Sequence, residues 1–230
     1  MSETLRNTTS MTGFSWSYSA LKIFETCPRR HYHYSIKKDV REAESEHLAF
    51  GHSVHAAFEA RVKTGTPLPM GMGMHEKVLA RLATAPGDIY AEQKLAMDAD
   101  FAPASWFGNK AWLRMVIDYT NVRPDTGTAT VLDYKTGKPS EDLTQLQLCA
   151  AMVFTHVPAV QRVKAGLMFI AYGQVERAEF LRDDLPEIWG EILPRVRRLV
   201  EAKVRDEYPP KPGGLCRRWC AVTSCPYNGK

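Results

Sequence analysis

Asp133 and Lys135 close an apolar run, Val131-Leu132-Asp133-Tyr134-Lys135-Thr136-Gly137. Side chains alternate along a strand, so a carboxylate and an ammonium two positions apart share one face. Asp118 closes a second apolar run in the same manner, after Met115-Val116-Ile117. If the two runs pair through the turn that holds Pro124, Asp125 and Gly127, the two aspartates come together. Adjacent carboxylates repel, and a divalent cation relieves that repulsion. Oxygen ligands with open positions suit Mg²⁺ or Mn²⁺. Hydrolysis of a phosphodiester needs such a cation to polarise the phosphate and activate a water, and a lysine to steady the charge that develops. An isolated D-x-K is commonly a surface ion pair. The pattern gains weight from its order here: a helix with histidine, a strand with glutamate, a strand with aspartate, the strand with Asp-x-Lys, and a helix with glutamine.

A second constellation is made of cysteines. Cys216, Cys220 and Cys225 fall within ten residues of one another near the end of the chain. Three thiols on so short a segment cannot bury a core, and in a reducing compartment clustered cysteines are metal ligands more often than disulfides. A fourth ligand is needed, and Cys27 is the candidate. Cys149 stands among Leu148, Ala150 and Ala151 and reads as a core residue.

The elements that must position these groups follow from periodicity. Residues 15–36 read as a helix capped by Ser15 or Ser17 and broken at Pro28. A stronger helix spans 46–64, with Leu48, Val54, Ala57, Phe58 and Val62 at helical spacing and Gly65 as its stop. A Pro/Gly/Met loop at 66–74 and a short helix at 74–84 come next. Strands at 89–97, 111–119 and 128–135 form a β-meander. A helix at 140–155 opens at Ser140, strands at 163–172 and 175–181 meet at Gly173-Gln174, and a helix covers 184–205. The order predicts a mixed α/β core. With 230 residues the expectation is one domain: a helical part at about 15–85, a core at about 86–205, and a cysteine-bearing tail at about 206–230.

Composition sets the outer bounds. Hydrophobic residues are 44% and charged residues 24% of the chain, as in ordinary globular proteins. There is no run of about 18 apolar residues, and the polar start MSETLRNTTS lacks the order of a secretory signal, so no membrane partner and a cytoplasmic location are expected. The net charge of +4, from 30 basic and 26 acidic side chains, is too small to prove a polyanionic partner. Its distribution is more telling. Arg29, Arg30, Lys37, Lys38 and Arg41 cluster early, and Arg195, Arg197, Arg198, Lys203, Arg205, Lys211, Arg217 and Arg218 cluster late. Local basic clusters can track phosphates, although any single one is more readily a solvated helix face.

Taken with these motifs, the chain resembles the PD-(D/E)XK superfamily in its RecB-like branch, and in particular the CRISPR-associated and phage RecB-like exonucleases. The resemblance runs over about 15–227. It rests on Ser19-Ala20-Leu21 with Cys27-Pro28, on Gly51 to His55 in a Gly-x-x-x-His pattern, and on Asp118, Asp133 and Lys135. It implies a restriction-endonuclease-like α/β core, a mixed central sheet flanked by helices. It implies His55, Asp118 and Asp133 as ligands for Mg²⁺ or Mn²⁺, and Lys135 as the catalytic lysine. Glu92 maps to a glutamate of the preceding strand, and Gln145 to a Gln-x-x-x-Tyr motif in which Cys149 replaces the tyrosine. His47 and His52 are left as helix surface. The four cysteines, Cys27, Cys216, Cys220 and Cys225, would ligate a 4Fe–4S cluster that joins the N- and C-terminal segments. Their spacing leaves Zn²⁺ as the alternative. The implied activity is a metal-dependent DNA exonuclease of recombination, replication or repair, acting on ends or single strands and working with proteins of those processes. Gln145 and the basic clusters would contact the strand. The competing readings are a nucleic-acid-binding module with a cysteine-bound metal and no catalysis, and an endonuclease of the same superfamily.

Overall fold

The computed structural model describes residues 14–41, 45–139 and 142–230. They form two compact units: Ser45–Ile188, and the described residues before Ser45 together with Trp189–Lys230. The helices are α1 (Tyr18–Thr26), α2 (Glu46–Thr64), α3 (Glu76–Ala83), α4 (Thr144–His156) and α5 (Leu185–Arg205). The strands are β1 (Asp88–Met97), β2 (Pro103–Ala104), β3 (Leu113–Arg123), β4 (Thr128–Lys135), β5 (Arg162–Phe169) and β6 (Gln174–Leu181). Among the described residues no helix is long and apolar enough to cross a membrane.

The unit Ser45–Ile188 is built on one six-stranded sheet of order β2-β1-β3-β4-β5-β6. Neighbours run antiparallel except β4 and β5, which are parallel. A parallel pair needs a long crossover, and α4 supplies it. Nine of the thirteen residues of α4 are buried, as expected of a helix lying against a sheet in a mixed α/β core. The meander read from the sequence is present as β1, β3 and β4, with β2 as an added two-residue edge.

α2 begins where the sequence places it. Ser45 caps it by accepting from the Leu48 amide at 3.2 Å, and the chain leaves it through Gly65 at φ 72, a left-handed conformation that favours glycine. Val54 and Phe58 of α2 pack with Leu79, Tyr119, Tyr134 and Ile170 in one apolar cluster. Phe58 meets the Tyr134 ring edge-on at 5.0 Å. Burying these side chains, at about 1.5–3 kcal/mol each, fixes α2 against the sheet.

The largest differences from the sequence reading are at three element ends. β3 does not stop after Asp118 but runs on to Arg123. The apolar alternation ends at Tyr119, yet Thr120 and Asn121 are buried because they pair with β1 and β4 on both sides. Asp118 is therefore mid-strand. The helix expected from 140 begins at Thr144; Ser140, expected as its start, lies outside the described residues. The strand expected to reach 172 ends at Phe169, and Ile170–Tyr172 make a 3-10 turn into β6.

In the second unit, the helix expected over 15–36 is interrupted at Cys27, which is extended. Ser17, one of the two expected caps, accepts from the Ala20 amide at 3.2 Å. Pro28–His31 then form a single helical turn that opens into a π-helical turn, Tyr32–Ile36. The early and late segments of the chain are tied directly. Arg195 donates to both carboxylate oxygens of Glu25, at 2.7 and 2.8 Å. Lys211 donates to the Glu25 carbonyl at 2.7 Å, and the Tyr32 and Tyr208 rings lie 5.0 Å apart.

Candidate active site

Pairing of β3 with β4 through Tyr119↔Leu132 sets Asp118 beside Asp133. Both carboxylates are buried. One oxygen of Asp118 accepts from the Tyr134 amide at 2.6 Å, which fixes its direction. The other faces Nδ1 of His55 at 3.3 Å. The same His55 nitrogen lies 3.4 Å from Glu92 Oε1. His55, Glu92 and Asp118 thus present one ligand atom each, all within 4.8 Å of one another.

Glu92 reaches this position by a departure from regular strand geometry. Its flanking residues keep register, Ala91 with Tyr119 and Gln93 with Ile117, so Glu92 lies opposite Asp118. Its own φ is 49°, a left-handed value that costs a non-glycine residue on the order of 1–3 kcal/mol. Strain of this kind is concentrated at functional sites.

His55 is positioned by its neighbours on α2. Val54 and Phe58 anchor the helix in the core, and the His55 ring stands edge-on to Tyr134 at 6.0 Å. Gly51, one turn earlier, approaches the residue that follows the Asp-x-Lys pair: a Cβ there would sit 3.3 Å from Thr136 Oγ1. A side chain at position 51 would crowd the Thr136 hydroxyl. The hydrogen bonds of His55 to Asp118 and then to Glu92 raise its pKa to about 10, so with no cation present the imidazole carries the positive charge between the two acids.

Asp133 and Lys135 form a second, adjoining group. Lys135 Nζ lies 2.6 Å from Asp133 Oδ2 and donates to Gln145 Oε1 at 2.6 Å. The Gln145 amide donates to Asp133 Oδ1. Burial, and then the charge of Asp118, push Asp133 up to about 6 against the pull of Lys135. Gln145, expected to contact a nucleic-acid strand, is the bracket that holds carboxylate and ammonium together. Asp133 is not one of the three converging ligand residues; its carboxylate is turned to Lys135 and Gln145, beside them.

All six residues line an open cleft of about 610 Å³. His47 and His52, left by the sequence as helix surface, line it too. Their signal was available: with Gly51 and His55 they recur three and four positions apart along α2. Cys149, one turn beyond Gln145, is buried. Burial, then the charges of Asp133 and Asp118, raise its thiol pKa, so it stays a neutral core side chain.

A model of the PD-(D/E)XK nuclease superfamily matches residues 15–115 and 73–228. The chain belongs to that superfamily. No curated protein matches. Among solved structures, a "Putative exonuclease" from Eubacterium rectale is similar at 14% identity and a TM-score of 0.52, over 94% of this chain and 91% of that one. At that identity the likeness shows a common fold. SSO0001 is similar at 14% identity and a TM-score of 0.47, over 97% of this chain and 93% of that one.

The cysteines lie in the other unit. Cys27, Cys216, Cys220 and Cys225 all line one cavity of about 160 Å³. Backbone amides point at two of the sulfurs: Lys211 N to Cys27 Sγ at 3.4 Å, and Gly213 N to Cys216 Sγ at 3.5 Å. Such donors stabilise thiolate charge. Among the described residues no three of these sulfurs lie within 4.8 Å of one another, wider than the roughly 3.8 Å between sulfurs that share one tetrahedral zinc at Zn–S bonds of about 2.3 Å.

Proposed function

We propose that this chain is a metal-dependent DNA exonuclease of the RecB-like branch, working in the cytoplasm in DNA recombination, replication or repair. The observation that carries the reading is the pair of adjoining groups in one cleft: His55, Glu92 and Asp118 converging as ligands, and Lys135 held against Asp133 by Gln145. One imidazole with carboxylates suits Mn²⁺ as well as Mg²⁺, and a cation held there would polarise the phosphodiester and acidify a water. Asp133, with its pKa pushed up to about 6, can share in that site when ionised and donate a proton when protonated. Lys135 supplies a fixed positive charge one carboxylate away, where it stabilises the negative charge that builds on the phosphate. Gln145 keeps the Lys135 ammonium from swinging into solvent. The buried Asp118 and Tyr134 backbone give the site a rigid floor.

For the cysteine cavity, the same reading assigns a 4Fe–4S cluster on Cys27, Cys216, Cys220 and Cys225, with Zn²⁺ as the alternative. The four thiols lining one cavity and the amide donors to two of the sulfurs support a shared site. Its role would be structural: it would close a loop of nearly 190 residues, a large constraint on the unfolded chain.

Cleavage of end-labelled linear oligonucleotides and of closed-circular DNA, with Mn²⁺ and with EDTA, tests the reading. Stepwise shortening of linear substrate, with circles intact and no reaction in EDTA, is the expected result. Cut circles would make the protein an endonuclease of the superfamily. Binding with no cleavage under any divalent cation would make it a nucleic-acid-binding module.

A further inference from the structure

Between Cys216 and Cys220 the chain reads Arg217-Arg218-Trp219, and all three side chains are exposed. Trp219 is 73% exposed, an unusual position for the largest apolar side chain. Neither arginine makes an ion pair among the described residues, in contrast to Arg195, which Glu25 holds. The segment is short and tied down. The amides of Trp219 and Cys220 both donate to the Leu215 carbonyl, at 3.0 and 2.9 Å. Gly229 donates to the Cys216 carbonyl at 2.9 Å, and Asn228 Nδ2 to the Cys220 carbonyl at 2.7 Å. The backbone is thus braced on either side of a tip that carries one aromatic ring and two guanidiniums.

We propose that Arg217, Arg218 and Trp219 form a binding tip for single-stranded DNA, with an unpaired base stacked on the Trp219 indole and the two arginines on flanking phosphates. The inference rests on the nuclease reading for the identity of the nucleic acid, but not on any step of catalysis. The occupant follows from chemistry. Two adjacent guanidiniums with no acidic partner among the described residues call for a polyanion. A flat exposed aromatic among them calls for a partner with accessible π-faces, and a base within a duplex has none to offer. Stacking on an aromatic side chain is sequence-tolerant, as suits an enzyme that degrades any strand. Because the backbone that carries the ring is already braced, little backbone freedom is lost on binding.

The test is binding of the full-length protein in EDTA, where no cleavage occurs, to two fluorescein-labelled strands: a thymidine oligonucleotide, and an abasic strand with the same number of phosphates. Trp219→Ala is expected to weaken binding of the thymidine strand roughly 5- to 100-fold and to leave the abasic strand unaffected, while Trp219→Phe keeps most of the affinity. Arg217→Ala and Arg218→Ala are each expected to weaken both strands and to lower the log–log salt slope by about 0.7. Equal binding of the thymidine strand by Trp219→Ala and the parent overturns the proposal. So does a loss that is the same for both strands, which would mark Trp219 as structural. Unchanged salt slopes in both arginine variants overturn the phosphate contacts. If the binding pattern holds and no cleavage is found with any divalent cation, the tip stands and the nuclease reading falls. Cleavage without the binding pattern gives the reverse.

Discussion

Replacing Asp133 with asparagine should abolish cleavage and make the cation-free protein more stable. Asp133 is 4% exposed and sits beside Asp118, and burial and that neighbour raise its pKa from 3.8 to about 6. The unfolded chain therefore loses its proton near pH 3.8 and the folded chain near pH 6. In between, the folded state binds more protons, so stability falls as pH rises through this window. A shift of about two units is about 3 kcal/mol once the window is passed. Asparagine keeps the shape and one acceptor, and removes the charge along with the ion pair to Lys135. The net gain should be on the order of 1–3 kcal/mol, or roughly 2–10 °C in melting temperature for a chain of this size. Thermal unfolding in EDTA at pH 4 and at pH 8 measures it. The two proteins should melt together at pH 4, and Asp133→Asn should melt higher at pH 8. Adding Mn²⁺ at pH 8 should then raise the parent more than the variant, since the cation neutralises the repulsion that asparagine has already removed. A variant less stable than the parent at pH 8, or a difference that does not change between pH 4 and pH 8, would refute the electrostatic account of the site.

Other outcomes follow from the same geometry. Lys135→Ala should slow cleavage by a factor on the order of 10²–10³ without changing the melting temperature at pH 8 by more than a few degrees; parent-level cleavage would remove it from the site. His55, raised to about 10 by Asp118 and Glu92, must lose its proton to bind a cation, so Mn²⁺ affinity measured by calorimetry should rise with pH between 7 and 9, by up to about tenfold per unit, and this dependence should vanish in His55→Gln. In cation-free protein the stabilising contribution of the same group is complete below pH 6.5 and fades as pH rises toward 10, so His55→Gln should cost more stability at pH 6 than at pH 10. Anaerobically purified protein should be brown; Cys220→Ser should bleach it and lower its melting temperature, while Cys149→Ser, outside the cavity, should keep the colour. A colourless parent with stoichiometric zinc would replace the cluster by Zn²⁺.

Much of the cleft was legible in the residue order because its parts are local. Asp133 and Lys135 share a strand face by the two-residue period, and the short turn at Pro124–Gly127 all but dictates that Asp118 lies next to Asp133. The range of α2 was readable from its periodicity and from Gly65, each a near-neighbour effect. The same locality explains the assignment of Cys149 to the core, since it is surrounded by Leu148, Ala150 and Ala151 in the chain itself. Other features depended on contacts between distant segments. Thr120 and Asn121 read as the end of a strand, because nothing in their polarity announces that β1 and β4 pair on both sides of them. Glu92 lies on a strand whose alternation does not reveal a φ of 49°; its place opposite Asp118 comes from the pairing of β1 with β3. Gln145 was read as a group for the substrate, yet its amide is satisfied within the protein by Asp133 and Lys135. That choice could not be seen from spacing, because ten residues and a change from strand to helix separate it from Lys135. Periodicity and turn chemistry act over a few residues and are written in the sequence. Which carboxylate faces which cation is set by the packing of α2 and α4 on the sheet, and only the tertiary structure decides it.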